Sequence, residues 1–156
     1  MSGRSDATIL SPPHLTIAVK SGYRVLADMG EMSSNFAQST LNVKSSFLRD
    51  NRDVVKRFLR AYAEAIHVIK TDRTRSMNVF AKRMRIDDAE TVKSTYDYFA
   101  PRFSFPPWVN LEGIKDTLDF YAERNPDFKN HKPEEFVDQS LLSELDKEGF
   151  FKTLAK

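Results

Sequence analysis

The sequence contains no cysteine, which excludes disulfide bonds, thiolate metal sites and cysteine nucleophiles. Glycine is scarce, with five residues among 156, and this disfavours a turn-rich all-β protein. No apolar run is long enough to span a bilayer, and the first residues lack the apolar core of a signal peptide. Because the charges are interspersed and the net charge is only +2, we expect no nucleic-acid partner and no membrane span.

Apolar side chains are nevertheless plentiful enough for a core, since hydrophobic residues make up 40% of the chain and twelve of them are Phe. Two regimes divide the sequence. Residues 1–43 hold Gly22, Gly30 and the Pro12-Pro13 pair among short mixed segments, whereas residues 44–156 are dominated by helical periodicity. The composition therefore predicts a helix-rich protein with a different kind of opening segment.

The pattern of the opening segment predicts two short strands, one on each side of a helix. Asp6–Leu10 is an apolar run that stops at Pro12 and Pro13, because proline lacks a donor for the β-ladder. Residues 14–21 predict a short helix with Gly22 as its C-terminal cap, and residues 25–27 predict a second strand. The polar stretch at residues 36–43 has no helical stripe, and we predict either a strand or a connection there.

In the second regime, apolar residues recur at spacings of three and four and predict about five or six helices. The strongest stripe runs through Val55, Phe58, Leu59, Tyr62, Ile66 and Ile69. Further stripes predict helices near Met77–Met84, from Asp87 onward, after Asn110 and around Leu141–Leu145. Gly149 is expected just past the end of the last stripe, with Phe150 and Phe151 packing back onto the body.

No catalytic or metal site can be assembled from these residues, and no cofactor motif is present. His14, His67 and His131 have no metal-type partner at the spacing of one helical turn. The adjacent carboxylates, such as Asp87-Asp88 and Glu134-Glu135, fall at predicted helix starts, where the helix dipole explains them. We therefore expect the protein not to be an enzyme.

Three places have a possible role beyond structure. Residues 10–14 form a turn that leads into a helix, and such a turn offers a hydroxyl and backbone N–H groups to an anion. Residues 36–40 bring hydroxyl and amide groups together without a pattern. Residues 103–108 place aromatic side chains beside prolines, which suits a pocket, a docking surface or a packed loop. An ordinary turn and a packed loop are the commoner explanations of the first and third.

The order of these segments resembles one family. Asp6-Ala7-Thr8-Ile9-Leu10-Ser11-Pro12-Pro13 looks like the "D-A-x-x-x-x-P-P" strand and turn of ABC-importer substrate-binding proteins of the nitrate, sulfonate, taurine and thiamine-precursor type. Residues 25–30, then 47–51 leading into 54–62, and finally Val137–Leu142 continue the resemblance in the same order. The likeness covers nearly the whole chain, although none of its motifs is specific alone.

The resemblance implies an α/β, strongly helix-rich fold, the C-terminal part of a two-lobed periplasmic-binding-protein-like clamp. Residues 1–35 would end the second lobe, residues 36–43 would form the returning hinge, and residues 44–156 would be helices of the first lobe. It also implies a small solute, an ABC permease as partner and a periplasmic or extracytoplasmic location. Exposed strand edges would favour a homodimer, since unpaired edges attract other strands.

By the same resemblance, Ser11, Pro12, Ser39 and Thr40 would face the ligand, an anionic or heterocyclic solute such as a sulfonate, nitrate or a pyrimidine. Two alternatives stand beside this interpretation. The first is a helical protein–protein interaction or scaffold module that binds no small molecule and docks through residues 103–108. The second is an enzyme of thiamine-pyrimidine synthesis. It is the weaker alternative, because such an enzyme needs a metal site and a histidine donor that are not visible in this sequence.

Overall fold

A computed structural model describes residues 5–31 and 40–155 of the chain. Helices account for 65% of the described residues, and none of these residues forms a strand. The eight α-helices of the described part are α1 His14–Lys20, α2 Ser45–Asp50, α3 Arg52–Thr71, α4 Arg73–Met84, α5 Ala89–Phe99, α6 Leu111–Ala122, α7 Ser140–Lys147 and α8 Phe150–Leu154. Short 3-10 helices cover Ala100–Arg102, Pro126–Asn130 and Pro133–Phe136.

The predicted α/β fold is therefore wrong. Residues 6–10 and 25–27 are extended or irregular, and within the described chain they pair with no neighbouring segment. A strand is stable only when other strands satisfy its backbone groups and cover one face, and these segments lack both. Ile9 and Leu26 accordingly remain 79% and 78% exposed. A homodimer built on strand edges likewise has no strand in the described residues to start from.

The helices were predicted more accurately. Asn110 caps α6, as its position suggested, with its side-chain oxygen accepting a hydrogen bond from the N–H of Glu112 at 3.0 Å. Gly149 follows α7 with a left-handed φ of 76°, a conformation that glycine adopts without a steric penalty. The predicted start at Asp87 is shifted by one residue, because it is Asp88 that caps α5 by accepting a hydrogen bond from Thr91 N–H.

The described chain divides into two compact units. The first contains the described residues of Met1–Met29 together with Val68–Phe103, and so includes α1, α4 and α5. Its centre is the buried face of α5, where Val92 and Tyr96 lie. The Tyr96 hydroxyl donates a hydrogen bond to the carbonyl of Ile69 at 2.7 Å, which satisfies the one polar group of a buried ring.

The second unit contains the described residues of Gly30–His67 and Ser104–Lys156. Its core is formed where α3 meets α7 and α8, and its buried members are Ala63, Leu142, Leu145, Phe150 and Phe151. Ala63 is fully buried, and its small side chain lets α7 and α8 approach the backbone of α3. The predicted boundaries at residues 35/36 and 43/44 stay a prediction.

Ion pairs border this core on its exposed side. Arg52 and Lys56 on α3 contact Glu144 on α7 at 2.5 and 3.0 Å, and Lys56 also contacts Glu148 at 2.6 Å. All four side chains are partly exposed to solvent, so each pair contributes at most about 1 kcal/mol. Apolar burial therefore supplies most of the stability of this contact, and the charges fix its register.

We predict that Leu145→Ala destabilises the protein by about 2–5 kcal/mol, because it removes a fully buried side chain and leaves a cavity. Urea denaturation followed by far-UV circular dichroism measures the change. Val54→Ala is the matched control on α3, since Val54 is 41% exposed and its replacement is expected to cost about 0.5 kcal/mol. Equal losses for the two variants would show that the core lies elsewhere.

Candidate functional site

The turn at Ser11 and Pro12 has the geometry of an ordinary helix start. Ser11 is exposed and Pro12 and Pro13 are buried. The Ser11 carbonyl accepts a hydrogen bond from the N–H of Leu15 at 3.1 Å, and neither proline has an N–H to offer. The turn therefore presents few backbone donors to an anion. The role of Ser11 and Pro12 in ligand binding stays a prediction.

The other two predicted ligand residues lie at the start of the second described segment or before it. Ser39 lies outside the described residues. Thr40 is exposed, and its hydroxyl accepts a hydrogen bond from the side-chain amide of Asn42 at 3.0 Å. Ser11 and Pro12 belong to the first unit and Thr40 to the second. Each of these positions is therefore described singly, and the role of Ser39 and Thr40 in ligand binding also stays a prediction.

The aromatic and proline-rich stretch at residues 103–108 is mostly a packed loop. The ring of Phe105 lies between His67 and Phe151, with centroid separations of 5.4 and 6.1 Å. Trp108 also contacts the ring of Phe151, at 6.2 Å. Phe151 itself is buried in the core of the second unit. Phe105 therefore packs on the core, whereas Trp108 stays 39% exposed, and the docking role of this stretch stays a prediction.

A different apolar surface exists in the second unit, and we call it the α2–α3 groove. It has a volume of about 230 Å³, and every side chain that lines it is apolar. The lining residues are Leu41, Val43, Phe47, Val54, Val55 and Phe58. Phe47 and Phe58 are 45% and 52% exposed. Large apolar side chains grouped in this way mark a surface that another molecule can cover.

Sequence reasoning missed this groove. It is built from the residues before α2, from Phe47 on α2 and from the start of α3, and nothing local links Leu41 to Phe58. One signal was present, however. Val54 and Phe58 are one turn apart and lie beside the buried Val55, so the apolar surface of α3 is wider than its packing against α7 and α8 uses.

Several titratable side chains have structural partners. Asp88 caps α5 and is held by Lys20, whose Nζ donates to it at 2.6 Å. This bond, with those from Thr91, lowers the pKa of Asp88 to about 2. His131 forms an exposed pair with Glu135 at 2.8 Å, and this contact lowers the pKa of the Glu135 carboxyl. In the described ranges, no three acidic or histidine side chains cluster as metal ligands would.

Comparison with known proteins adds no relative. No protein-family model matches the chain, and no curated protein or solved structure matches it either. No helix within residues 5–31 and 40–155 is both long and apolar enough to cross a bilayer. The family resemblance therefore rests on the quoted residues alone.

We predict that Asp88→Asn removes part of the acid sensitivity of the fold. An acid whose pKa falls on folding contributes stability above its unfolded pKa of about 3.9, and loses that contribution as the pH falls towards about 2. Asn keeps the cap but not the charge. Urea midpoints of the wild type should therefore fall more steeply between about pH 4 and pH 2 than those of the variant.

Asp87→Asn is the control for this measurement, because the Asp87 side chain has no partner among the described residues. It is expected to leave the pH dependence unchanged. Identical slopes for the wild type and Asp88→Asn would contradict the assignment of the Lys20–Asp88 contact as a stabilising one.

Proposed function

We propose that this chain is part of the solute-binding component of an ABC importer, and that it needs a second protein body to bind its solute. The ordered resemblance from Asp6–Pro13 to Val137–Leu142 supports the transport role. The solute would be small and either anionic or heterocyclic, such as a sulfonate, nitrate or a pyrimidine. The proposal includes an ABC permease as partner and a location outside the cytoplasmic membrane.

One observation carries the need for a second body. Large apolar side chains stand exposed in the segments that the sequence pattern predicted as strands, with Ile9 and Leu26 the most exposed of them. Burying one such side chain contributes about 1.5–3 kcal/mol, so leaving several in water is unfavourable. A partner that covered these segments would recover this free energy.

The placement of the predicted ligand residues also indicates that the isolated chain binds a solute poorly. Tight binding of a small solute requires several polar groups that converge in a concave site, usually between two bodies. Within the described residues, Ser11 and Thr40 are exposed side chains in separate units. The proposal therefore assigns Ser11, Pro12, Ser39 and Thr40 to the ligand only when the second body is present.

The test is a thermal-shift screen of this chain and of an extended protein that joins it to the second body, with sulfonates, nitrate, bicarbonate and pyrimidines. We expect one solute to raise the midpoint of the extended protein and none to raise that of the chain alone. At about one hundred times its Kd, a ligand stabilises the folded state by about 2.7 kcal/mol, which is readily measured.

Ser11→Ala should reduce that shift. Ser21→Ala is the control, because the Ser21 hydroxyl is exposed and donates only to the Ile17 carbonyl in its own helix. If no solute changes the midpoint of either protein, the transport role is contradicted.

The alternative is a helical protein–protein interaction module without a small-molecule ligand. The α2–α3 groove favours it, because its six lining side chains are apolar and offer no polar group to orient a solute. The solute screen separates the two functions, since a module of this kind would give no shift with any solute in either protein.

A further inference from the structure

A large excess of positive charge lies in and beside α4. Residues 72–86, which comprise α4 and its flanking residues, hold five basic side chains and one acidic side chain, a net charge of +4. Residues 44–60 also carry a net charge of +4, but there Arg52, Lys56 and Arg60 pair with Glu144 and Glu148. All the other residues together carry −6, so the whole chain carries only +2.

One face of α4 is fixed by packing within the first unit. Ser76 is buried, and its hydroxyl donates to the Val68 carbonyl at 3.2 Å. The ring of Phe80 lies 6.3 Å from that of Tyr96. Arg73 also lies on this side, where it stacks on Tyr96 and pairs with Asp97 at 2.7 Å. These contacts define the packed side of α4, and so also define its opposite face.

The opposite face carries Arg75, Asn78, Val79 and Lys82, which recur at spacings of three and four. Together with Asp72 and Thr74 they line a shallow surface groove. The basic side chains Arg75 and Lys82, with Arg83 and Arg85 beside them, form no ion pair with any described residue. We call this surface the α4 basic face.

We propose that the α4 basic face binds an acidic segment of another protein. The positive charges supply the attraction, Thr74 and Asn78 supply directional hydrogen-bonding groups, and Val79, at 49% exposure, supplies an apolar contact in the middle. Each exposed ion pair contributes at most about 1 kcal/mol, so the complex should be weak, rapidly formed and sensitive to salt. This inference does not rest on the proposed transport role.

A protein fits this face better than a bilayer does. Insertion into a membrane requires a broad apolar face, but Met77 and Phe80 are turned inward and partly buried, and Val79 and Met84 are the only large apolar side chains of α4 that are exposed. Only Val79 is apolar among the residues that line the groove. Adsorption of the face to anionic lipid without insertion is an outcome that the experiment distinguishes.

The experiment measures the fluorescence anisotropy of a labelled oligoglutamate peptide titrated with the full chain, at low salt and at about 0.15 M salt. Arg75→Glu/Lys82→Glu should weaken binding by about tenfold or more, since it replaces two attractions by repulsions. Lys129→Glu/Lys152→Glu makes the same change in net charge at exposed positions elsewhere, and should weaken binding by less than about threefold.

Three results would overturn the inference. They are no binding at low salt, equal losses in the two double variants, or binding to phosphatidylcholine vesicles containing phosphatidylserine in preference to the peptide. Circular dichroism checks that each variant is folded. Arg75→Gln/Lys82→Gln removes the charges without adding repulsion, and should also weaken binding relative to Lys129→Gln/Lys152→Gln.

Discussion

The contact between α3 and the pair α7 and α8 is the interaction on which the second unit depends. Ala63 brings the helices close, and Leu145 and Phe150 fill the space beside it. The aromatic stretch at residues 103–108 is held over this core through the ring of Phe105. The Phe105 ring of this stretch thus packs on the structural core, and the α2–α3 groove is an apolar surface of the same unit that stays exposed.

Two kinds of exposed surface follow from this arrangement. One is apolar, and consists of the extended residues around Ile9 and Leu26 and the groove bordered by Phe58. The other is charged, and consists of the face of α4 around Lys82. Apolar surfaces favour lasting contacts because their stabilisation scales with buried area, whereas exposed charges favour fast and salt-sensitive ones. A partner that covered either surface would therefore be held by a different kind of contact.

The helices could be predicted from the sequence because the information they need is local. Within the predicted stripe, the spacing of Val55, Leu59 and Ile66 marks the buried side of α3, and the cap at Asn110 lies immediately before its helix. The strand predicted at residues 6–10 failed because a strand needs partners elsewhere in the chain. An apolar run bounded by prolines has the right composition for a strand, but composition does not say whether a neighbouring strand exists.

The candidate sites were hard to predict for the same reason, because they too depend on residues that are distant in the sequence. The assignment of Ser11 and Thr40 came from resemblance and not from geometry, and the structure leaves them as single exposed side chains. The groove required knowledge of how residues before and after α2 come together. The α4 basic face was not predicted, because the prediction used the net charge of the whole chain. That net charge is +2 and does not reveal the net charge of +4 within residues 72–86.

Amide hydrogen exchange of the isolated chain, followed by NMR, tests the central claim most directly. That claim is that the apolar segments predicted as strands are unpaired in the isolated chain and open to a partner. The amides of Ile9, Leu10, Val25 and Leu26 should exchange at nearly the rate of an unstructured peptide, while those in the middle of α3 are strongly protected. Protection at these four amides comparable to that of α3, in a monomeric sample, would contradict the account.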